Sequence, residues 1–358
     1  MSKHSPLTAH GRRIQELDRS LERDPDALDA RFERAGLLRE RGLFEEAKRD
    51  YLQLLRRVPT DFGVLNDFGT LVLTAGYKDA ARSLFSEAVR HHPNNPNGHV
   101  NLANLLFLSG DQETARSHFE AALRIDPDHA HAHRGMANLL AELGDAVGAT
   151  RHRDKGYKNH FQTTLPYRGD GPPICVLLLI SAAGGNIPTP TLLDDRQFRI
   201  TVLAAEYADP NMPLPPHDLV FNSIGDADLC REGLHAACAV LTRTDRPVIN
   251  HPRAVLKTGR ALNVERLRGV PNLIVPRVVS VPRRLLAGGE AEAAIADNGF
   301  SFPFLVRTPG FHTGRYFVRV ENLPGLMAAA AEFPGDDICL IDQLDARDGD
   351  GFFRKCAS

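Results

Sequence analysis

The sequence predicts a multidomain α and α/β chain: an α-solenoid of helix pairs, then an α/β domain, then an α+β subdomain. Three observations carry this. The first half repeats with a period of 34 residues. The second half loses that period and alternates short apolar runs with glycine-bearing loops and helical stretches. The 358 residues suffice for more than one core, at roughly 150 residues per domain.

Composition bounds the function. Hydrophobic residues make up 42% and charged residues 25%, as in soluble globular proteins. A formal net charge of −2 gives no general attraction to nucleic acids or acidic membranes. The absence of Trp and an aromatic content of 7% argue against base-stacking platforms. Cys175, Cys230, Cys238, Cys339 and Cys356 are odd in number and form no C-x-x-C pair. That fits reduced thiols in a cytoplasm better than a disulfide frame or a zinc site. The start, MSKHSPLTAHGRR, lacks an apolar core, so no signal peptide is expected. The longest apolar run, Ile174–Ile180, is too short to cross a bilayer. The chain is therefore expected in the cytoplasm, with no nucleic-acid or membrane partner and no metal site.

Residues 1–27 read as an N-terminal cap, with one helix over 7–22 and Pro25 one period before Pro59. From residue 28 the ladders run in register. Gly42, Gly76, Gly110 and Gly144 are 34 apart, as are Ala47, Ala81, Ala115 and Ala149. Tyr51, Phe85 and Phe119 follow, with Pro59, Pro93 and Pro127, and the small residues Ala35, Gly69, Ala103 and Ala137. The small residue and the alanine let two helices touch. The glycine ends the first helix in a tight turn, and the proline stops the second. The pattern, small-x6-Gly-x4-Ala-x3-aromatic-x7-Pro, resembles the tetratricopeptide repeat family. It gives repeats over 28–61, 62–95 and 96–129, and a partial one over 130–160, where Arg153 replaces the aromatic. The repeat domain is placed at 28–163.

The resemblance implies a concave groove lined by the first helix of each repeat. Those helices offer Asn66, Asn101, Asn104, Arg134 and Asn138, with Asn104 and Asn138 one period apart. Side-chain amides hold a peptide backbone through donor and acceptor together. The same residues also suit a plain solvated face. The family's charged clamp for a terminal carboxylate is not matched in full.

Residues 164–173 read as a linker rich in Gly and Pro. An α/β domain is placed at 174–282, with strands at Ile174–Ile180, 199–204, 218–222 and 247–249 and a helix over 227–242. Strands alternating with helices imply a parallel sheet with right-handed crossovers. The loop 181–190 offers backbone to a phosphate but lacks both G-x-G-x-x-G and G-x-x-x-x-G-K-[ST]. Its lack of a phosphate loop counts against a sulfotransferase, and no nucleotide-sugar domain of a glycosyltransferase is visible. Asp226 and Asp228 follow a strand and open a helix. They suit either a substrate amine or a helix cap. His251 before Pro252 suits a turn. Lys257 and Arg260, three apart, are expected on one helix face.

The last part, 283–358, holds a hairpin (FPFLVRTPGFHTGRYFVRV, 302–320), a helix over 323–333 and a strand near 338–344. Taken with NSIGDAD (222–228), VINHP (248–252), TGR (258–260) and DGDGFFRK (348–355), it resembles the ATP-grasp superfamily, in a group that fuses tetratricopeptide repeats to an ATP-grasp-like domain. The resemblance covers about 174–358. It implies ATP with magnesium, a phosphorylated carboxylate and attack by an amine. By position, Arg260 and Arg307 resemble the phosphate-binding basic residues, Gly310 and Gly314 the glycine loop, and Asp342 and Gln343 the adenine hinge. Lys257, Asp226, Asp228, Arg354 and Lys355 are further candidates for substrate or phosphate. The family takes its magnesium ligands from a later core, an acid and a Glu-x-Asn pair. Asp345, Asp348 and Asp350 are followed by no such pair. Phosphoryl transfer needs that charge neutralisation. The chain is thus expected to carry a truncated ATP-grasp-like domain with no catalysis of its own. The working expectation is protein or peptide binding by the repeats beside a domain that binds ATP. The alternative is an ATP-dependent carboxylate–amine ligase whose peptide substrate docks on the repeats.

Overall fold

The computed structural model describes residues 9–309, 314 and 316–344, which fall into two compact units. The first contains residues 9–183, 188–223 and 240–249. It opens with α1 (Ala9–Arg23) and four helix pairs. These are α2 (Leu28–Glu40) with α3 (Phe44–Arg57), α4 (Phe62–Thr74) with α5 (Lys78–His91), α6 (Pro96–Leu108) with α7 (Gln112–Ile125), and α8 (Ala130–Glu142) with α9 (Ala146–Tyr157).

The turn inside every pair is the same. Gly42, Gly76, Gly110 and Gly144 adopt φ between +73° and +90°, the left-handed region that glycine enters without strain. The next residue's N–H reaches back five residues: Leu43 to Leu38, Tyr77 to Val72, Asp111 to Leu106 and Asp145 to Leu140, all 2.9–3.0 Å. This is a Schellman closure repeated four times, and it satisfies carbonyls the helix end would leave bare.

Packing explains the other ladders. Ala35, Ala47, Tyr51, Phe68, Ala81, Phe85, Ala103, Ala115, Phe119 and Leu139 belong to one continuous core. Tyr51 stacks on Phe68 of the following pair, ring centroids 5.7 Å apart. The first pair adds a buried ion cluster: Asp50 accepts from Arg31 (3.2 Å) and from Arg34 (2.7 and 2.8 Å). In α9 the position of the ring is taken by Arg153. The end of this helix is held instead by Tyr157 stacked on Tyr207 at 5.4 Å, with the Tyr207 hydroxyl donating to Asp154 at 2.6 Å.

The same unit holds a five-stranded sheet, ordered β1-β3-β2-β4-β5. Its strands are β1 (Gln162–Thr164), β2 (Ile174–Ile180), β3 (Phe198–Ala204), β4 (Leu219–Asn222) and β5 (Val248–Ile249). β2, β3, β4 and β5 are parallel; β1 is antiparallel on the β3 edge. Two expectations need correction here. β1 occupies the end of the span placed with the repeats and the first residue of the stretch read as connection, and that stretch stays tied down: Leu165 N–H donates to Ile200 and Arg168 N–H to Asp195, both at 2.8 Å. The helical crossovers are also fewer than the alternation implied. β2–β3 and β3–β4 are joined by loops carrying single 3₁₀ turns, Thr189–Thr191 and Ala205–Tyr207.

The second unit contains residues 184–187, 224–239 and the described residues from 250 onward. It includes most of α10 (Arg231–Leu241), then α11 (Pro252–Val255), α12 (Arg260–Leu267), β6 (Val278–Pro282), α13 (Arg283–Leu286), α14 (Ala291–Asp297), β7 (Phe304–Arg307), β8 (Phe317–Val320), α15 (Leu323–Glu332) and β9 (Asp337–Ile341). β6, β9, β7 and β8 form an antiparallel sheet in that order. α15 buries Leu326, Ala329 and Ala330 in the core shared with Phe304, Val306 and Leu340. β6 belongs to this sheet, and residues 250–277 to this unit, so the compact units cut across the division at residue 282.

α10 begins at Arg231, later than the expected 227. Asp226 Oδ1 accepts from the N–H groups of Asp228 and Leu229 at 2.9 and 2.8 Å, and this Asx turn delays the helix.

The tightest fit in the repeats gives a stability test. A Cβ on Gly135 would lie 2.2 Å from Phe119, which is fully buried. Gly135→Ala should cost about 1–3 kcal/mol of overpacking, partly offset by helix propensity. Gly36 has open space around it, so Gly36→Ala should gain up to about 1 kcal/mol. Urea unfolding followed by far-ultraviolet circular dichroism should move the two midpoints in opposite directions.

Candidate functional site

In the first unit the first helices of successive pairs touch, α2 with α4 and α6 with α8, and form one face. The expected groove residues separate into two kinds. Asn104 and Asn138 are exposed on α6 and α8, beside Leu108, which is 68% exposed. Asn66 and Asn101 are engaged with each other: the Asn101 amide donates to Asn66 Oδ1 at 2.6 Å, and Asn66 donates to Asp67 at 3.2 Å.

Arg134, also expected in the groove, is engaged within the chain. Its Nε donates to the Gly156 carbonyl at 2.9 Å, it bonds the His160 carbonyl, and its guanidinium covers the Tyr157 ring at 4.3 Å. It fastens the end of α9. Nothing in the sequence around Arg134 distinguishes a groove cation from this clamp.

The chain itself approaches the other end of that face. Arg39, Thr70 and Thr74 on α2 and α4 border a cavity of about 410 Å³ whose opposite wall is Leu165, Pro166 and Arg168. Arg41 pairs with Asp170 at 3.7 Å, and Arg168 with Asp195 at 2.6 Å. The segment read as a linker therefore screens the first two pairs and leaves α6 and α8 more open.

The first donors of the loop after β2 are already taken. The Ser181 hydroxyl donates to Glu206 at 2.6 Å and Ala182 N–H to the same carboxylate at 3.2 Å, so an anion already occupies those donors.

In the second unit a cavity of about 590 Å³ is lined by Gly185, Asn186, Asp226, Asp228, Thr258 and Arg260 among others. Gly185 is at φ +63°, and a Cβ there would meet Cys230 Sγ at 2.6 Å. Its carbonyl accepts from Gly225 and Asp226 N–H at 2.9 and 3.2 Å. Arg260, the first residue of α12, pairs with Asp228 at 3.1 Å and with Asp226 at 3.8 Å. Asp228 Oδ2 also accepts the Arg260 backbone N–H at 3.2 Å. The two acids thus meet an arginine of the chain in the place where a substrate amine was expected.

Arg307, at the end of β7, lies within electrostatic reach of Arg260, Asp226 and Asp228. Burial first, and then the Arg260 charge, push its guanidinium below the usual arginine range. The sequence's two basic candidates thus lie in the same unit. Cys339 joins this group: burial first, and the Asp228 charge second, raise its thiol above the usual range.

Lys257 is a correction. α11 ends at Val255 and α12 starts at Arg260, so Lys257 and Arg260 share no helix. Lys257 is exposed, and its carbonyl accepts from Arg266 at 3.0 Å. His251 caps α11, its Nδ1 accepting from Arg253 N–H at 3.2 Å. Asp342 is paired with Arg277 at 3.0 Å, and Gln343 accepts from Arg319 at 2.5 Å. Gly314 sits at φ +81° with open space about it. Gly310, Arg354 and Lys355 lie outside the described residues.

Among the described residues no cluster of three or more His, Cys, Asp or Glu could hold a metal ion. No helix there is long and apolar enough to cross a membrane.

The family described as "Tetratricopeptide repeat" matches residues 14–62, 66–130 and 109–149. The N-terminal region carries tetratricopeptide repeats. No curated protein matches the chain. Among solved structures the chain is similar to MamA residues 41 to the end from Desulfovibrio magneticus RS-1: 15% identity, 40% of this chain and 81% of that one, TM-score 0.37. It is similar to a thermophilic tetratricopeptide repeat protein, TTC0263 of Thermus thermophilus: 20% identity, 41% and 81% covered, TM-score 0.36. It is also similar to YrrB, a tetratricopeptide repeat protein with an unusual peptide-binding site: 22% identity, 42% and 79% covered, TM-score 0.36.

The raised Cys339 thiol gives a pH test. A thiol harder to ionise in the folded state contributes stability that is complete below the unfolded value, about 8.5–9. That contribution is lost as pH rises through the folded value. Iodoacetamide at pH 8.5 should label Cys339 at least about tenfold more slowly in the native protein than in urea. Peptide mass mapping reads the rate.

Proposed function

We propose that the repeats hold a protein or peptide segment on the face formed by α6 and α8. The carrying observation is the pair of exposed amides, Asn104 and Asn138, one repeat apart beside the exposed Leu108. An amide side chain both donates and accepts, so two of them at a fixed interval can hold an extended backbone in register. Leu108 supplies apolar area at the same place. Asn66, Asn101 and Arg134 bond within the chain and serve the shape of this face.

Peptides selected from a random library on the full chain provide the test. Each lost amide bond is worth about 0.5–1.5 kcal/mol, so Asn104→Ala with Asn138→Ala should weaken binding about five- to hundredfold. Both positions are exposed, and the thermal midpoint should hardly move. Unchanged affinity in the double variant would reject the site.

A second reading rests on a different observation. Arg260 lines a glycine-bearing cavity in the second unit, and Arg307 of the same unit lies within electrostatic reach of it. Like charges so placed are relieved by a polyanion between them. Together with the resemblance of this region to ATP-grasp proteins, that supports nucleotide triphosphate binding there, with Arg260 exchanging its hold on Asp228 for a phosphate. ATP with magnesium should raise the thermal midpoint of the full chain, and Arg307→Gln should abolish the rise. No shift at millimolar ATP would remove this reading.

A further inference from the structure

One contact recurs in the repeats that peptide binding does not use. It joins the two helices of each pair at positions 19 residues apart. In the first pair it is Arg31 with Asp50, an ion pair at 3.2 Å. In the second pair the same register holds Leu65 and Leu84. In the third it is His99 with His118, Nδ1 to Nδ1 at 3.0 Å, and in the fourth His133 with His152, at 2.9 Å.

The protons on these rings can be assigned. His99 Nε2 faces the Pro93 carbonyl at 3.0 Å, and His133 Nε2 faces the Pro127 carbonyl at 2.9 Å. A carbonyl only accepts, so each Nε2 carries the hydrogen and each Nδ1 keeps its lone pair. An imidazole turned by a backbone carbonyl so that its other nitrogen is basic is the usual preparation of a metal-ligating histidine. His99 and His133 are buried and fixed, whereas His118 and His152 are part exposed, leaving a way in from solvent.

We propose that these two histidine pairs are bidentate sites for a borderline divalent transition ion, copper(II) or nickel(II) ahead of zinc. Two metal–nitrogen bonds of about 2.0–2.1 Å at a right angle set the nitrogens about 2.8–3.0 Å apart; a tetrahedral angle needs about 3.3–3.4 Å. The separation found matches the right angle, which square or tetragonal nitrogen–oxygen sites of copper(II) and nickel(II) prefer. The rings meet at centroid distances of 5.3 and 5.0 Å.

Protons balance. His118 and His152 give up the Nδ1 hydrogen and take one on Nε2 from solvent, so both rings of each pair stay neutral and no net proton is released. Water completes the shell, since among the described residues no third ligand joins either pair. Asp111 lies within electrostatic reach of His118, and Asp145 of His152. Arg151 and Lys155 add positive charge near His152, and Asp128 adds negative charge near His133.

The test is isothermal titration of the full chain with nickel(II) chloride and, separately, copper(II) chloride. Two ions per chain are expected, with His118→Gln and His152→Gln each removing one and lowering that site's affinity at least tenfold. Circular dichroism checks that the variants remain folded. Leu65→His with Leu84→His should build a third site in the second repeat. The copper-loaded protein should show hyperfine coupling to two imidazole nitrogens per ion. Unchanged stoichiometry in the His118→Gln/His152→Gln double variant would overturn the proposal, because the ions would then sit on other histidines. So would the absence of binding at millimolar metal.

Discussion

The helix repeats of the first unit depend on one steric fit: a large ring against a position with little or no side chain. Tyr51, Phe85 and Phe119 are almost wholly removed from solvent. A Cβ on Gly69 would come within 2.5 Å of Phe85, and one on Gly135 within 2.2 Å of Phe119. A pair of helices has one apolar face and cannot cover it alone, so each ring is buried only when its neighbours are in place. The left-handed glycine turns fix the angle within each pair, and the rings fix the spacing of the helices around them. A regular face on the first helices is the by-product, and the proposed function uses it.

That much was legible in the sequence because it is written several times. A single Gly or Phe says little, but the same residue types at a 34-residue interval fix turn, contact and helix end together. The candidate groove was legible only in part. Asn66, Asn101, Asn104 and Asn138 look alike in sequence, yet two bond to each other and two face solvent. Whether a polar side chain is already satisfied depends on neighbours that periodicity does not name. Arg134 shows the same limit, since its partners lie 22 and 26 residues along the chain. The histidine pairs were legible as periodic residues, but they carried no turn or core signal that would have drawn notice.

The second unit was harder to read because its elements are short. Lys257 and Arg260 are three apart, a spacing that means one helix face only if a helix runs through both. Gly259 begins a new helix between them, so the rule failed on its premise. Arg260 and Arg307 were grouped from resemblance alone, and the acids holding Arg260 were not anticipated at all. Asp226 and Asp228 fit physically. A cationic side chain at a cavity wall, with another arginine nearby, is steadied by carboxylates that also tie down the turn before α10. Charge, turn and cavity are therefore one arrangement.

The return of residues 165–170 onto the first helix pairs narrows where a partner can lie. With Arg168 and Asp170 beside α2, the solvent-facing amides are those of α6 and α8. Hydrogen–deuterium exchange of the full chain, with and without a saturating selected peptide, measures this most directly. Binding on the third and fourth repeats should protect amides in α6 and α8 while leaving α2 and the β6–β9 sheet unchanged. Protection confined to the sheet of the second unit, or to α2 and α4, would contradict it.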